Sequence, residues 1–140
     1  MPKKKSPKYI FKKNEYTQFE KKDYIDQVLT EYTGRKYKLN QIRWFHLPGE
    51  KIVAEKYGYS LGINVGVNSI GPGGFYEAHK HKSPSFYFVL SGKAKVKVGD
   101  EEKVVGPATW IVTPPGINHY VETIGKKPFT YITCDTLNLD

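Results

Sequence analysis

Apolar and polar residues alternate along most of the chain from about residue 41 onward, as they do in half-buried β-strands. In the clearest stretch, residues 60–68, every second side chain is apolar: Leu61, Ile63, Val65 and Val67. Further strands are predicted near 41–46, 75–80, 85–91, 93–98, 103–105, 109–113, 118–123 and 129–135. Segments rich in turn residues separate them at 71–74, 99–100, 114–116 and 125–128. Short strands divided in this way predict an all-β jelly roll or barrel.

A different spacing precedes these strands. Residues 15–33 carry apolar side chains mostly three or four positions apart, at Tyr16, Phe19, Ile25, Val28, Leu29 and Tyr32. This spacing predicts an amphipathic helix, with Thr17 and Glu20 as a capping box and Gly34 at its C-terminal end. The helix would cover an open edge of the barrel or dock on a second subunit. We therefore expect a flexible basic arm over residues 1–13, an N-terminal helical extension over 14–40 and a β-barrel domain over 41–140.

The net charge of +8 is concentrated in the arm, because residues 1–13 hold six lysines and no acid. A basic arm can bind phosphate groups, but the rest of the chain shows no basic cluster, so we do not expect a nucleic-acid partner. No apolar run has the length of a membrane-spanning helix, about 20 residues, and no secretory signal is visible. The single cysteine, Cys134, cannot form an intramolecular disulfide, which fits a reducing compartment and predicts a cytoplasmic location.

Three histidines carry the candidate chemistry. His79 and His81 are two residues apart in a predicted strand, so both imidazoles fall on one face. His119 follows the turn at 114–116 in a second predicted strand. Three imidazoles brought together from two strands can hold one metal ion and leave other coordination positions open to a substrate.

On these residues the chain resembles the cupins, a superfamily of small β-barrels. The first cupin motif is matched by Gly73 or Gly74, His79, His81 and Gly92, and the second by Gly106, Pro114, Gly116 and His119. The resemblance covers roughly residues 57 to 135. It implies a cupin-type double-stranded β-helix, one divalent transition metal (Fe, Mn, Ni, Zn or Cu) on the three histidines, a small-molecule substrate or ligand, and a homodimer.

One position departs from the cupin pattern: Ser85 stands where the family usually carries a carboxylate ligand. The resemblance then implies a site of three neutral imidazoles, which leaves the full charge of the ion in place. Within the superfamily, three-histidine sites occur in thiol and diketone dioxygenases and in some lyases.

Strand alternation adds further candidates. Glu77 shares the predicted face of His79 and His81, so its carboxylate is a candidate catalytic group or ligand; the alternative is a hydrogen bond to a group around the ligands. Tyr87, on the predicted face of Ser85, is a candidate acid or hydrogen-bond donor, and the alternative is core packing. His46 and Cys134 are further possible ligands, with ordinary structural roles as the alternative for each.

The sequence thus supports two hypotheses. The first is a metal-dependent enzyme that acts on a small organic molecule by dioxygenase or lyase chemistry. The second is a non-catalytic protein that binds a small ligand, with the metal as a structural anchor. The missing glutamate leaves both open, and fold alone does not decide between them.

Overall fold

The computed structural model describes residues 23–46 and 62–136, apart from the side chains of Phe45 and His46. Nine strands make up its regular structure: β1 (Ile25–Thr30), β2 (Lys36–His46), β3 (Ile63–His79), β4 (Ser85–Ser91), β5 (Lys93–Val98), β6 (Glu101–Val105), β7 (Trp110–Thr113), β8 (His119–Ile124) and β9 (Phe129–Thr136). Most of the predicted strands are found within a few residues of their expected positions. The predicted arm, and the predicted helix up to residue 22, lie outside the described residues.

All of these strands pair antiparallel in one curled sheet, in the order β6-β5-β8-β3-β9-β4-β7, with β2 on β3 and β1 on β2. The 17-residue strand β3 joins the two layers, because its first half pairs with β9 and its second half with β8. The all-β jelly-roll architecture is therefore confirmed. Among the described residues, no helix is long and apolar enough to span a membrane.

The predicted turn at 71–74 is wrong, because β3 continues through it. Residues 71–74 form a bulge opposite Gln41: Asn40 pairs with Phe75 and Ile42 with Ile70. Glycine is required at this corner, since a Cβ on Gly74 would stand 2.6 Å from the carbonyl oxygen of Asn40. The bulge bends β3 from one layer into the other, as bulges do at the corners of curved sheets.

The predicted helix is also wrong where the structure describes it, because residues 25–30 form β1. This strand pairs with β2, and Gly34, at a φ of 91°, belongs to the hairpin turn rather than to a helix end. The apolar side chains of the expected stripe are largely exposed: Ile25, Val28, Leu29 and Tyr32 are 38–59% accessible. A helical spacing over so short a segment does not outweigh pairing with an adjacent strand edge. Strand β2 also crosses position 40, the expected end of the helical extension.

The inward faces of both layers form the core. Phe129, Ile42, Ile70 and Val89 are at most 1% accessible, and β5 alternates buried and exposed residues over most of its length. On the outer face of β4 and β7, in contrast, Phe86, Leu90, Trp110 and Val112 are 44–62% exposed. The Trp110 ring lies 4.7 Å from Phe88 and 5.8 Å from Phe86, between centroids. We call this surface, Phe86, Phe88, Leu90, Trp110 and Val112, the aromatic face.

Candidate metal centre

The three histidines meet where β3 ends and β8 begins. His79 is the last residue of β3 and is paired directly with His119, the first residue of β8. His81 lies two residues beyond β3, and its carbonyl accepts a hydrogen bond of 2.9 Å from the backbone N–H of Gly116. This bond ties the loop before His119 to the segment that carries His81.

The imidazole rings converge. Ring centroids are 4.2 Å apart for His79 and His119, 4.9 Å for His81 and His119, and 5.9 Å for His79 and His81. One ring nitrogen of each histidine lies within 4.8 Å of one nitrogen of the other two. Among the described residues, these three histidines are the one such group of metal-ligating side chains.

Backbone carbonyls fix the orientation of all three rings. Nδ1 of His79 donates to the carbonyl of Glu77 at 2.8 Å, Nδ1 of His81 to that of Ser83 at 2.7 Å, and Nδ1 of His119 to that of Ile117 at 3.1 Å. A carbonyl oxygen only accepts, so each Nδ1 carries a hydrogen and the lone pair of the neutral ring is on Nε2. Outer hydrogen bonds of this kind orient histidine ligands in metal sites.

The donor set fits a divalent metal ion. Nε2 of His119 is buried and has no hydrogen-bond partner, and a buried polar atom without a partner is destabilising. A transition metal bound by the three Nε2 atoms would satisfy it, because neutral imidazole suits Fe, Ni, Cu and Zn.

Burial also keeps the rings neutral. It lowers the pKa of His79 to about 4, although the hydrogen bond to Glu77 opposes the shift. Burial, with the neighbouring His79, lowers the pKa of His119 to about 3. Both rings are therefore unprotonated at neutral pH, as metal ligands must be.

These lowered pKa values predict that the metal-free protein loses stability in acid. Below about pH 6.5 the unfolded chain takes up protons at His79 and His119 that the folded chain does not. The free energy of unfolding should therefore fall by about 2 kcal/mol per histidine between pH 6.5 and pH 5. Urea denaturation of chelator-treated protein at several pH values measures this slope. The double variant His79→Asn/His119→Asn should flatten it, and an unchanged slope would contradict the assignment.

The carboxylate of Glu77 is not at the cluster. It accepts a hydrogen bond of 2.8 Å from the backbone N–H of Lys38 on β2. The register between β3 and β8 shifts between Tyr76 and His79, so the alternation expected to place Glu77 and His79 on one face is broken. The contact of Glu77 with the site is through its carbonyl, which orients His79.

Sequence reasoning missed two residues of the β1–β2 hairpin. Tyr37 stacks on the His79 ring, with centroids 4.2 Å apart and planes 2° from parallel. Glu31, at the end of β1, accepts a hydrogen bond from the backbone N–H of Lys80 at 2.7 Å. Burial favours the neutral form of Glu31, but hydrogen bonds from Arg35, Lys80 and Thr33 outweigh it, so the pKa of Glu31 lies below its usual value. No local pattern connects residue 31 with residue 80.

Tyr87 lies in a buried polar group with Ser85 and Thr113. Burial raises the pKa of Tyr87, although its hydrogen bonds with Thr113 and Ser85 oppose the shift, so the phenol holds its proton at neutral pH. Ser85 is 4% exposed, and its carbonyl accepts a hydrogen bond of 3.3 Å from Thr113 Oγ1.

We predict that Ser85 does not bind the metal. A neutral hydroxyl competes poorly with water for a divalent ion, and Ser85 already has a polar partner in Tyr87. Ser85→Ala should therefore leave the affinity for Zn²⁺, measured by competition with a chromogenic chelator, within about threefold of the parent. A loss as large as that of His81→Ala would show that the hydroxyl is a ligand.

Cys134, the other sequence candidate with a described side chain, is buried on β9 and is not part of the cluster. It is paired with Phe86 on β4 and Val65 on β3. His46 ends β2, and its side chain lies outside the described residues.

A chamber of about 540 Å³ opens between β5 and β6 on one side and β7 on the other. Its wall is mainly apolar, with Val96, Val98, Val105, Ile111, Pro114 and Ile117, and it includes Glu101 and Lys103. Val98 is paired with His119 across β5 and β8, and the Ile117 carbonyl holds the His119 ring. None of the three histidines lines the chamber itself, so its link to the cluster runs through Val98 and Ile117.

A family model described as a cupin domain matches residues 66–134, the part of the chain that contains all three histidines of the cluster. No curated protein matches the chain.

Solved structures resemble the fold. A cupin-2 domain protein from Rhodospirillum rubrum has a TM-score of 0.64 at 15% identity, covering 84% of this chain and 72% of its own. A predicted oxalate decarboxylase from Thermotoga maritima has a TM-score of 0.59 at 14% identity, covering 82% and 94%. The cupin domain of Cnp3 from Schizosaccharomyces pombe has a TM-score of 0.58 at 15% identity, covering 84% and 89%. At these identities the likeness concerns the fold alone.

Proposed function

The chain belongs to the cupin superfamily, and from this membership and its three histidines we propose that it is a metal-dependent enzyme acting on a small organic molecule. The observation that carries the proposal is the convergence of three imidazoles whose Nδ1 atoms are all held by backbone carbonyls. Such an arrangement prepares three Nε2 lone pairs for one ion.

His79, His81 and His119 would hold one divalent transition metal: Fe, Mn, Ni, Zn or Cu. Bound by neutral ligands only, the ion would act as a strong Lewis acid, and iron would also allow activation of oxygen. The protein itself would contribute orientation: the Glu77 carbonyl orients the His79 ring, and the largely apolar chamber would hold the body of the substrate.

The chamber supports the substrate class. Its volume of about 540 Å³ suits a small organic molecule, and its valines and isoleucines favour an apolar body. Tyr87, whose phenol stays protonated, is our proposed hydrogen-bond donor to the substrate, although it is not one of the residues that line the chamber.

One observation favours the alternative, a ligand-binding cupin in which the metal is a structural anchor. Among the described residues, no carboxylate joins the histidine cluster, so the cluster itself offers no acidic group for proton transfer. Metal content and turnover together distinguish the two functions.

Protein purified without added metal is analysed for its elements and then tested for oxygen uptake with candidate thiols and diketones. Stoichiometric iron with substrate-dependent uptake would establish the dioxygenase form of the proposal. Zinc or nickel with conversion of substrate but no oxygen uptake would establish lyase chemistry. Bound metal with ligand binding and no turnover would support the alternative, and protein without affinity for any of these metals would contradict both.

We also propose that two copies of the chain pair through the aromatic face. None of its five residues is charged, so two such faces can meet despite the net charge of +8 on each chain, and exposed aromatic residues are enriched at interfaces. We retain the cytoplasm as the proposed location, because the single cysteine cannot form an intramolecular disulfide.

Trp110→Glu should convert the dimer into a monomer. The substitution places a charge at the centre of the aromatic face, where it would be buried without a partner. Light scattering coupled to size-exclusion chromatography measures the mass. Val104→Glu is the matched control, because Val104 is 64% exposed on β6 and is not part of the aromatic face, and it should leave the mass unchanged. A parent protein that is already monomeric would contradict the pairing.

A further inference from the structure

The β1–β2 hairpin runs beside the segment that carries the first two histidines. The regular ladder between β2 and β3 ends at the pair Leu39 and Tyr76. Beyond this pair, hydrogen bonds that involve side chains take its place: the Arg35 guanidinium donates to the carbonyl of Ala78, and the N–H of Lys80 donates to Glu31. The hairpin therefore holds the backbone on both sides of His79.

Glu31 is the centre of this contact. Its side chain is 1% exposed, and both carboxylate oxygens are used. Oε1 accepts from Nε of Arg35 at 2.9 Å and from the hydroxyl of Thr33 at 3.0 Å, and Oε2 accepts from Lys80 N–H at 2.7 Å. A buried charge is tolerated only when it is paired and hydrogen-bonded. An apolar side chain would fill the same space without that cost, so the distinctive contribution of the carboxylate is its bond to Lys80.

Lys80 lies between His79 and His81 in the sequence, just beyond the last residue of β3. Strand β3 ends at His79, so residues 80 and 81 have no place in its ladder. A bond that fixes the backbone N–H at position 80 restricts the torsions that set the distance between the His79 and His81 rings. Tyr37, from the same hairpin, fixes the plane of the His79 ring by stacking.

We propose that Glu31 is the positioning residue of the metal centre, and that its hydrogen bond to the Lys80 backbone sets the approach of His79 and His81 to a shared ion. The inference rests on the proposed metal site. It assigns Glu31 no contact with the ion and no role in proton transfer.

Cobalt(II) binding to the full chain tests this proposal, because the visible spectrum of Co²⁺ reports coordination geometry as well as occupancy. Glu31→Ala removes the acceptor, and we expect it to weaken Co²⁺ binding by about 10- to 100-fold, the range for residues that orient ligands, with a changed spectrum. Glu31→Gln keeps one acceptor oxygen for Lys80 and should restore both affinity, to within about threefold, and the parental spectrum. Glu102→Ala, which breaks an exposed ion pair with Lys95, is the control and should match the parent.

Three results would overturn the inference. Parental affinity and spectrum in Glu31→Ala would show that the bond to Lys80 is not needed. Equal losses in Glu31→Ala and Glu31→Gln would show that charge, rather than position, is what matters. If Glu31→Ala does not fold, Glu31→Met decides, since it removes the acceptor for Lys80 but fills the same space, and Arg35, which would lose its partner, is half-exposed; unaltered Co²⁺ binding there would overturn the proposal. A parent that binds no Co²⁺ refutes the metal site itself, which distinguishes that failure from this one.

Discussion

Replacing His79, His81 or His119 singly by alanine should weaken binding of a divalent metal by at least about 100-fold, beyond the range for residues outside the ligand set. Each ring offers one of three nitrogen atoms that lie within 4.8 Å of one another and would serve as ligands. Loss of one leaves two, which hold a divalent ion weakly in competition with water. Titration with Zn²⁺ against a chromogenic chelator measures the loss for each variant.

The metal-free variants should remain folded, and His119→Ala is the most informative of them. In the parent, Nε2 of His119 is buried without a partner, so its removal eliminates an unsatisfied polar atom while opening a small cavity. We expect the free energy of unfolding without metal to change by less than about 1.5 kcal/mol, while stabilisation by added Zn²⁺ disappears. Glu102→Ala, which removes an exposed carboxylate paired with Lys95, is the control. Loss of metal binding in Glu102→Ala, or its retention in all three cluster variants, would contradict the site.

The strands and the histidine cluster were predictable because both depend on local order in the sequence. Lys93–Val98 alternates lysine with apolar residues, and it forms β5 with its lysines exposed. The His79–His81 spacing and the turn before His119 were equally clear in the sequence. His81 nevertheless lies beyond the end of β3, so its convergence with His79 depends on the loop that follows as well as on strand alternation.

Other features of the site and the fold were not predictable, because they depend on contacts between distant parts of the chain. Glu31 and Lys80 are 49 positions apart, and nothing near residue 31 indicates a partner there. The shift in register after Tyr76 moved Glu77 away from the cluster, although simple alternation placed it there. Residues 25–30 had a helical spacing and still formed a strand, because β2 offered them an edge to pair with.

The glycines of the two cupin motifs were matched as a sequence pattern only. The structure shows which of these positions require glycine because of backbone conformation or close contacts, and which do not. Gly92 connects β4 to β5 at a φ of 81°. A Cβ there would stand 2.2 Å from the carbonyl oxygen of Pro128 and 2.9 Å from Cα of Phe129, which is fully buried. At Gly106, which opens the second motif, a Cβ would meet no atom within 4 Å, and the backbone has no positive φ.

Gly92→Ala should therefore destabilise the protein by at least about 3 kcal/mol, because the left-handed backbone and the collision with backbone atoms both oppose the side chain. Gly125→Ala separates the two causes: its φ is 84° but its surroundings are empty, so we expect about 1–2 kcal/mol from the backbone alone. Gly106→Ala should be neutral or stabilising by up to about 1 kcal/mol. Urea denaturation of the metal-free proteins measures all three. Equal losses in Gly92→Ala and Gly125→Ala would show that the contact with Pro128 contributes nothing.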